Sequence, residues 1–374
     1  MTPTIGAAAA LALAAASTGV IVPALKLLVE RTGNGSIAGG VFMAAHVIGG
    51  AIGAALGNRA LRRVGSARAL AAAALAASVL VLLAMAALDS LELRVGLRFV
   101  DGACHLLAIT AVVAAATSGD EALRARRTVT MGLSIVLGVA AGIGIGSLLA
   151  HPELALVVAA VLSGAALIVA LLYLARDTAP RTLPTRSPGR GPLAPGLVAF
   201  GERFVFGMLS VAMPFLVPQS RVGVVLGPLM VASVIALPFA RRTAMTWGPR
   251  RLALYSGLTL TVMLALTGVV DVFSSWQRAL LWAPVPGAAA GALYACALVL
   301  VARSAALEDR LRDMGSVHAG GSAGFAVGAL CAGTLASLLP GALVIAVPSA
   351  AMMLATLVGV WIVIPPPRAT QPVT

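Results

Sequence analysis

Charge is scarce in this chain. Asp, Glu, Lys and Arg make up 10% of its 374 residues, against roughly a quarter in an ordinary soluble domain, and Lys26 is the only lysine. A water-soluble enzyme of usual composition is excluded on that ground. Cysteine is also rare: Cys104, Cys296 and Cys331 each sit inside an apolar run, with no CxxC and no histidine at ligand spacing. Neither a disulfide framework nor a metal site is expected. HExxH, a nucleophile elbow and GxxxxGK[ST] are all missing, which argues against hydrolytic chemistry and ATP-driven pumping. No enzymatic activity and no cofactor are expected. Aromatic residues reach only 4%, and the apolar runs hold almost no Asn or Gln. That disfavours recognition of sugars. Alternation of period two is absent, which disfavours an outer-membrane barrel.

What the chain has is apolar length. Hydrophobic residues make up 60% of it, mean hydropathy is +1.02, and the runs continue from end to end. Twelve stretches are long enough to cross a bilayer at roughly 20 residues each. They fall at about 6–28, 36–57, 67–88, 93–116, 128–149, 154–175, 196–217, 222–241, 251–271, 279–302, 315–338 and 341–364. Lipid offers backbone groups no hydrogen-bond partner, so each must be a helix. No basic residue precedes the run from Ala7, so it reads as a retained first membrane helix rather than a signal peptide.

The net charge of +13 comes mainly from arginines in short loops between the runs. Placing these loops on the cytoplasmic side satisfies the positive-inside rule with both termini cytoplasmic and an even number of crossings. Anionic lipid headgroups are the natural partners of such loops, and nucleic acid is not. The segment from Arg176 to Pro195 is rich in Pro, Arg, Thr and Gly and reads as an extended linker. The expected organisation is a six-helix bundle over 1–175, a cytoplasmic linker over 176–195 and a second six-helix bundle over 196–374, in a bacterial inner membrane. The expected fold class is therefore all-α membrane protein with twelve transmembrane helices in two bundles.

A faint internal repeat supports the halving. Arg59, Gly65 and Arg68, after the second run, return as Arg242, Gly248 and Arg251 after the eighth, each 183 residues on. Six plus six helices, the central linker and these paired loops resemble the major facilitator superfamily over essentially the whole chain. That family's loop after helix two reads Gly-x-x-x-Asp-Arg-x-Gly-Arg-Arg. Here Gly65, Arg63 and Arg68 fit, but Asn58 and Arg62 stand in the first-glycine and aspartate places. Arg98-Phe99-Val100-Asp101-Gly102 is similar to the Arg-Phe-x-Gln-Gly run that opens helix four in many exporters. Gly138, Gly142 and Gly146 keep the glycine spacing of the antiporter pattern in helix five, with Ile143 in place of its proline. The resemblance implies secondary transport.

Charges inside apolar helices cost several kcal/mol to insert, so they usually meet a partner or a cavity. Arg98 and Asp101, three apart on a helix, share a face. Asp101 is the candidate proton carrier and Arg98 its tuning partner. A static ion pair, or snorkelling at the outer surface, fits the same spacing. Glu202 and Arg203 fall in the cytoplasmic third of helix seven. There Glu202 is a candidate proton or substrate site and Arg203 a counter-charge or anion contact. His105, four residues beyond Asp101, and His46 are the intramembrane histidines, each either titrating or merely packed. Lys26 reads as half of an interfacial pair with Glu30, or as a vestibule group if helix one bends at Pro23. Trp282, Pro284 and Pro286 mark a bend in helix ten that either lines a cavity or serves packing. The stripe Gly138, Gly142 and Gly146 predicts a close helix seam, either a purely static interface or a sliding or rocking contact between helix five and a helix of the other bundle. Together these readings predict a secondary transporter, with proton-coupled export of a small amphipathic organic compound favoured. Import or facilitated passage of a small metabolite and a non-transporting receptor or assembly factor are the alternatives. One chain of this design forms a complete path, so a working monomer is expected.

Overall fold

The computed structural model describes residues 3–30, 35–116, 121–149, 151–174, 193–270, 272–302 and 307–364. Helices in the first half are α1 (Pro3–Glu30), α2 (Ser36–Val64), α3 (Ala67–Ala87), α4 (Leu91–Ala116), α5 (Glu121–Ser147) and α6 (Pro152–Tyr173). The second half holds α7 (Leu193–Leu216), α8 (Gln219–Trp247), α9 (Pro249–Val269), α10 (Trp276–Trp282), α11 (Pro284–Ala302), α12 (Leu307–Leu335) and α13 (Leu343–Val363). No strand occurs among the described residues. Helix α7 starts inside the segment read as a linker, because Leu193-Ala194 already continue its apolar run. Residues 175–192 lie outside the described residues.

Eleven described stretches are apolar and long enough to cross a membrane, with α10 and α11 forming one of them across a break at Ala283. The twelfth crossing is α12. Its 29 residues give about 43 Å of helix, but its glycines, Ser316 and His318 lower its hydropathy. A helix packed between α7 and α2 needs no greasy surface of its own.

Several helices outrun their apolar stretches. The second run ends near Gly57, yet α2 continues to Val64 through Arg59, Arg62 and Arg63. Ala, Leu and Arg are good helix formers, and basic side chains suit a helix C-terminus. Gly65 stops the helix in the left-handed region at φ 71°, and its N–H donates to the Leu61 carbonyl. Ser66 then caps α3 by accepting from the Ala69 N–H. Gly248 makes the corresponding turn between α8 and α9, at φ 88°. The repeat seen in the sequence is thus a repeat of two glycine-dependent turns.

Glycine seams hold each half together. A Cβ placed on Gly138, Gly142 or Gly146 would collide with the backbone carbonyls of Ala12, Ala16 and Val20 respectively. These three glycines therefore seat α5 against α1 of the same half. The expectation of a rocking contact with the other bundle is corrected here: the stripe is an internal seam. Gly49 and Gly53 of α2 meet Phe99 and Ala103 of α4 in the same way. In the second half, Gly320, Gly324 and Gly328 of α12 meet Gly196, Phe200 and Phe204 of α7, while Gly287 and Gly291 of α11 meet Leu229 and Ser233 of α8.

Candidate functional site

The halves meet at one end. Ser36 Oγ donates to the Gly333 carbonyl at 2.7 Å, and a Cβ on Gly40 would lie 2.6 Å from the Ala329 oxygen. Gln219 Nε2 donates to the carbonyls of Gly146 at 3.0 Å and Leu149 at 2.7 Å. The Gly223 N–H donates to Ser147 Oγ at 2.8 Å. These are the hydrogen bonds that join described residues of the two halves. All lie at the end remote from the linker, where α2 and α8 begin and α5 and α12 finish.

Arg98 and Asp101 sit on the inner face of α4, with Arg98 at 0% and Asp101 at 2% exposure. Snorkelling is thereby excluded. Asp101 Oδ2 accepts from Arg98 Nη1 at 2.5 Å, and Oδ1 accepts from Ser78 of α3 at 2.5 Å. His46 of α2 places Nδ1 3.2 Å from Oδ2. The rings of His46 and His105 lie 5.5 Å apart, and His105 Nε2 lies 3.4 Å from Thr18 Oγ1 of α1. Three helices thus converge on one carboxylate, and α1 joins the cluster through His105. Arg98 also lies over Phe42, 5.5 Å from the ring centre, and its Nε and Nη2 have no hydrogen-bond partner among the described residues. Such buried donors are expensive to strand, so the site stores unsatisfied polarity beside Asp101.

The second charged pair lies on α7. Arg203 is ten residues from the helix start, about 15 Å along it, and thirteen from its end. That is the middle third of the helix, whereas the sequence reading places the pair in the cytoplasmic third of helix seven. Glu202 is buried, with Oε2 3.2 Å from Arg203 Nε; the side chains keep 3% and 33% of their surface. The Arg203 guanidinium carbon lies 5.5 Å from the Tyr294 ring centre on α11 and 5.7 Å from that of Phe206. Its stem passes Gly321 of α12, where a Cβ would stand 3.2 Å from Arg203 Cγ.

The other candidates divide. Lys26 and Glu30 form a 3.8 Å pair at 40% and 48% exposure, and α1 runs unbroken past Pro23. Trp282 is 6% exposed, donates Nε1 to the Met263 carbonyl at 3.0 Å and meets Phe273 edge-on. It is therefore a packing residue between helices of one half. Pro284 lines an open groove of about 440 Å³ with Tyr255 and Thr259, and Pro286 follows on the same first turn of α11. Arg59, Arg63, Arg242 and Arg251 are exposed and Arg68 half-buried at the linker end.

Sequence reading missed Arg94, Ser78, Thr18, Tyr294 and His318. Arg94 is 2% exposed and donates Nε to the Met85 carbonyl at 3.2 Å. Its spacing of four from Arg98 was the available signal, since such residues share a face. Lone hydroxyls such as Ser78 carry no such mark.

Among solved structures, the nucleoside transporter NupG superposes with a TM-score of 0.76 at 12% identity, covering 97% of this chain and 99% of that one. Its D323A mutant gives 0.77 at 11% identity, covering 97% and 100%. The human organic anion transporter MFSD10 gives 0.69 at 17% identity, covering 96% and 98%. These likenesses show the fold. No curated protein sequence matches the chain. The family model described as Major Facilitator Superfamily matches residues 7–200 and 196–374, so between them the two matches cover nearly the whole chain, and with twelve crossings in two glycine-seamed bundles that touch at one end, this chain belongs to the major facilitator superfamily.

Proposed function

We propose that the chain is a proton-coupled secondary transporter that exports a small amphipathic organic compound by alternating access. It would act as a monomer in a bacterial inner membrane, with both termini cytoplasmic. In this reading 1–175 and 196–374 move as units about the 176–195 linker, and Asp101 carries the proton. The observation that carries the proposal is a single carboxylate deep in a lipid-embedded bundle, contacted at once by Arg98, Ser78 and His46. Gaining a proton weakens its hold on Arg98 and His46, and that loss is felt on α2 and α4 together. Helix α2 is also one of the helices that close the far end. A change at Asp101 is thereby linked to the contact between the halves. Glu202 is the second proton candidate.

The test is purified protein in proteoliposomes with a trapped pH-sensitive dye. Adding amphipathic organic compounds from a panel should drive proton movement in the opposite sense to cargo, and Asp101→Asn should abolish it while leaving cargo exchange intact. Wild-type coupling in Asp101→Asn moves the proton role to Glu202. No cargo movement by any route removes the transport reading.

A further inference from the structure

Among the described residues, every side chain that places a full charge inside this bundle is buried except one. Asp101 and Glu202 each keep 3% of their side-chain surface and Arg98 none, whereas Arg203 keeps 33%. The space it opens into is set by its neighbours. Arg203 stands beside α12 and α11, and α7 and α12 belong to the flank of the second half that contacts α1 and α2 of the first. Arg203 therefore stands on the flank of the second half that faces the first, beside Gly321 and on the linker side of the contact at Ala329 and Gly333.

Its guanidinium is held ready. Glu202 lies against Nε, the rings of Tyr294 and Phe206 fix the plane, and Gly321 leaves room for the stem. No hydrogen bond among the described residues takes either Nη group. A planar guanidinium with its terminal edge free matches carboxylate and sulfonate groups. The groups facing it are Glu202 on α7, Tyr294 on α11 and His318 on α12, the last exposed and within electrostatic reach of Arg203. The groups offered here are thus a part-exposed cation, the half-buried Tyr294 ring and an imidazole, with Phe206 buried behind them.

We infer that Arg203 is the docking point of the cargo, and that the cargo is an aromatic organic anion whose acidic group pairs with the free Nη edge while its ring packs on Tyr294. This rests on the transport reading and narrows its substrate class. An amphipathic cation is excluded as the preferred cargo, because the carboxylates that would attract it are sealed.

The experiment is counterflow in proteoliposomes with three isosteric probes: radiolabelled benzenesulfonate, benzenesulfonamide and phenyltrimethylammonium. Benzenesulfonate keeps its charge at every accessible pH, so leakage as a neutral acid does not arise. Benzenesulfonate should exchange, with the neutral and cationic probes slower by about tenfold or more. Arg203→Gln should lose that exchange while keeping a wild-type size-exclusion profile. If Arg203→Gln fails to fold, Arg203→Lys, which keeps the charge and loses the fork, should weaken exchange severalfold. Preference for phenyltrimethylammonium, wild-type exchange in the variant, or movement of none of the three probes overturns the inference. Benzenesulfonate counterflow together with failure of an imposed pH gradient to drive its net movement supports the docking point and refutes proton coupling instead.

Discussion

Gly142→Ala tests whether the glycine stripe of α5 is an internal seam. The ideal Cβ would overlap the Ala16 carbonyl oxygen and lie 2.8 Å from its carbon and 2.9 Å from its Cα. Carbon pairs prefer about 3.5 Å or more, so α5 and α1 must part by about 0.7 Å. The obstacle is backbone, which no rotamer change can move aside. Gly138 and Gly146 make the same contact one turn to either side, so the strain spreads along the seam. Overpacking of this kind costs about 1–3 kcal/mol. Gly144 is the control, since a Cβ there meets nothing within 4 Å. Gly144→Ala should gain about 0.5–1 kcal/mol from chain entropy. At about 2–4 °C per kcal/mol for a half of this size, the two variants should differ by about 5 °C or more in Tm, read by thermal size-exclusion in detergent. Equal melting points would refute the seam. Because the contact lies within one half, whatever folded Gly142→Ala survives should transport normally.

Three further outcomes follow from named contacts. Asp101→Leu strands the Arg98 charge and should cost about 3–5 kcal/mol, whereas Arg98→Met with Asp101→Leu should recover most of it; thermal melting of the double-mutant cycle decides, and additive losses sink the account. At Gly65, where φ is 71° and a Cβ would meet nothing within 4 Å, Ala should cost about 1–2 kcal/mol through backbone conformation alone, and Asn visibly less; identical Tm shifts for both would contradict it. Gly40→Val should wedge the halves apart against the Ala329 carbonyl, raising maleimide labelling of a reporter at Ser147→Cys severalfold in a chain otherwise free of cysteine. Because Ser147 belongs to the other contact between the halves, an unchanged rate would show that the two contacts open separately.

The crossings were legible because lipid leaves the backbone one solution, and hydropathy marks where it applies. Helix ends were not, because α2, α8 and α12 continue beyond the lipid-facing run on helix propensity. Arg98 and Asp101 could be picked out as charges where charge is costly. Their partners Ser78 and Thr18 could not, because a small hydroxyl is tolerated anywhere in a membrane helix. The glycine stripe announced a close approach, but periodicity alone carries no information about which neighbour is approached. Arg203 was visible as a charge, yet its surroundings depend on Tyr294 and Gly321, which lie far away in sequence and are brought together only by the packing of α7, α11 and α12.

The two halves share scaffolding and differ in chemistry. The α1–α5 and α2–α4 seams of one half correspond to the α7–α12 and α8–α11 seams of the other, and Gly65 corresponds to Gly248. The charged groups follow no such rule: one half seals its pair on α4, while the other places its pair on α7 and leaves the cation accessible. Rigid seams inside each half concentrate movement at the boundary between them. Beside the close packing of α2 on α12 and α5 on α8, that boundary carries only a few side-chain to backbone hydrogen bonds, with no ion pair joining described residues across it. At about 0.5–1.5 kcal/mol net apiece, four such bonds contribute only a few kcal/mol. A difference of that size between states is what differential binding of a small ligand can reverse. The polar part of that closure is therefore small, and under the proposed transport cycle it is the part that cargo or a proton would have to outweigh.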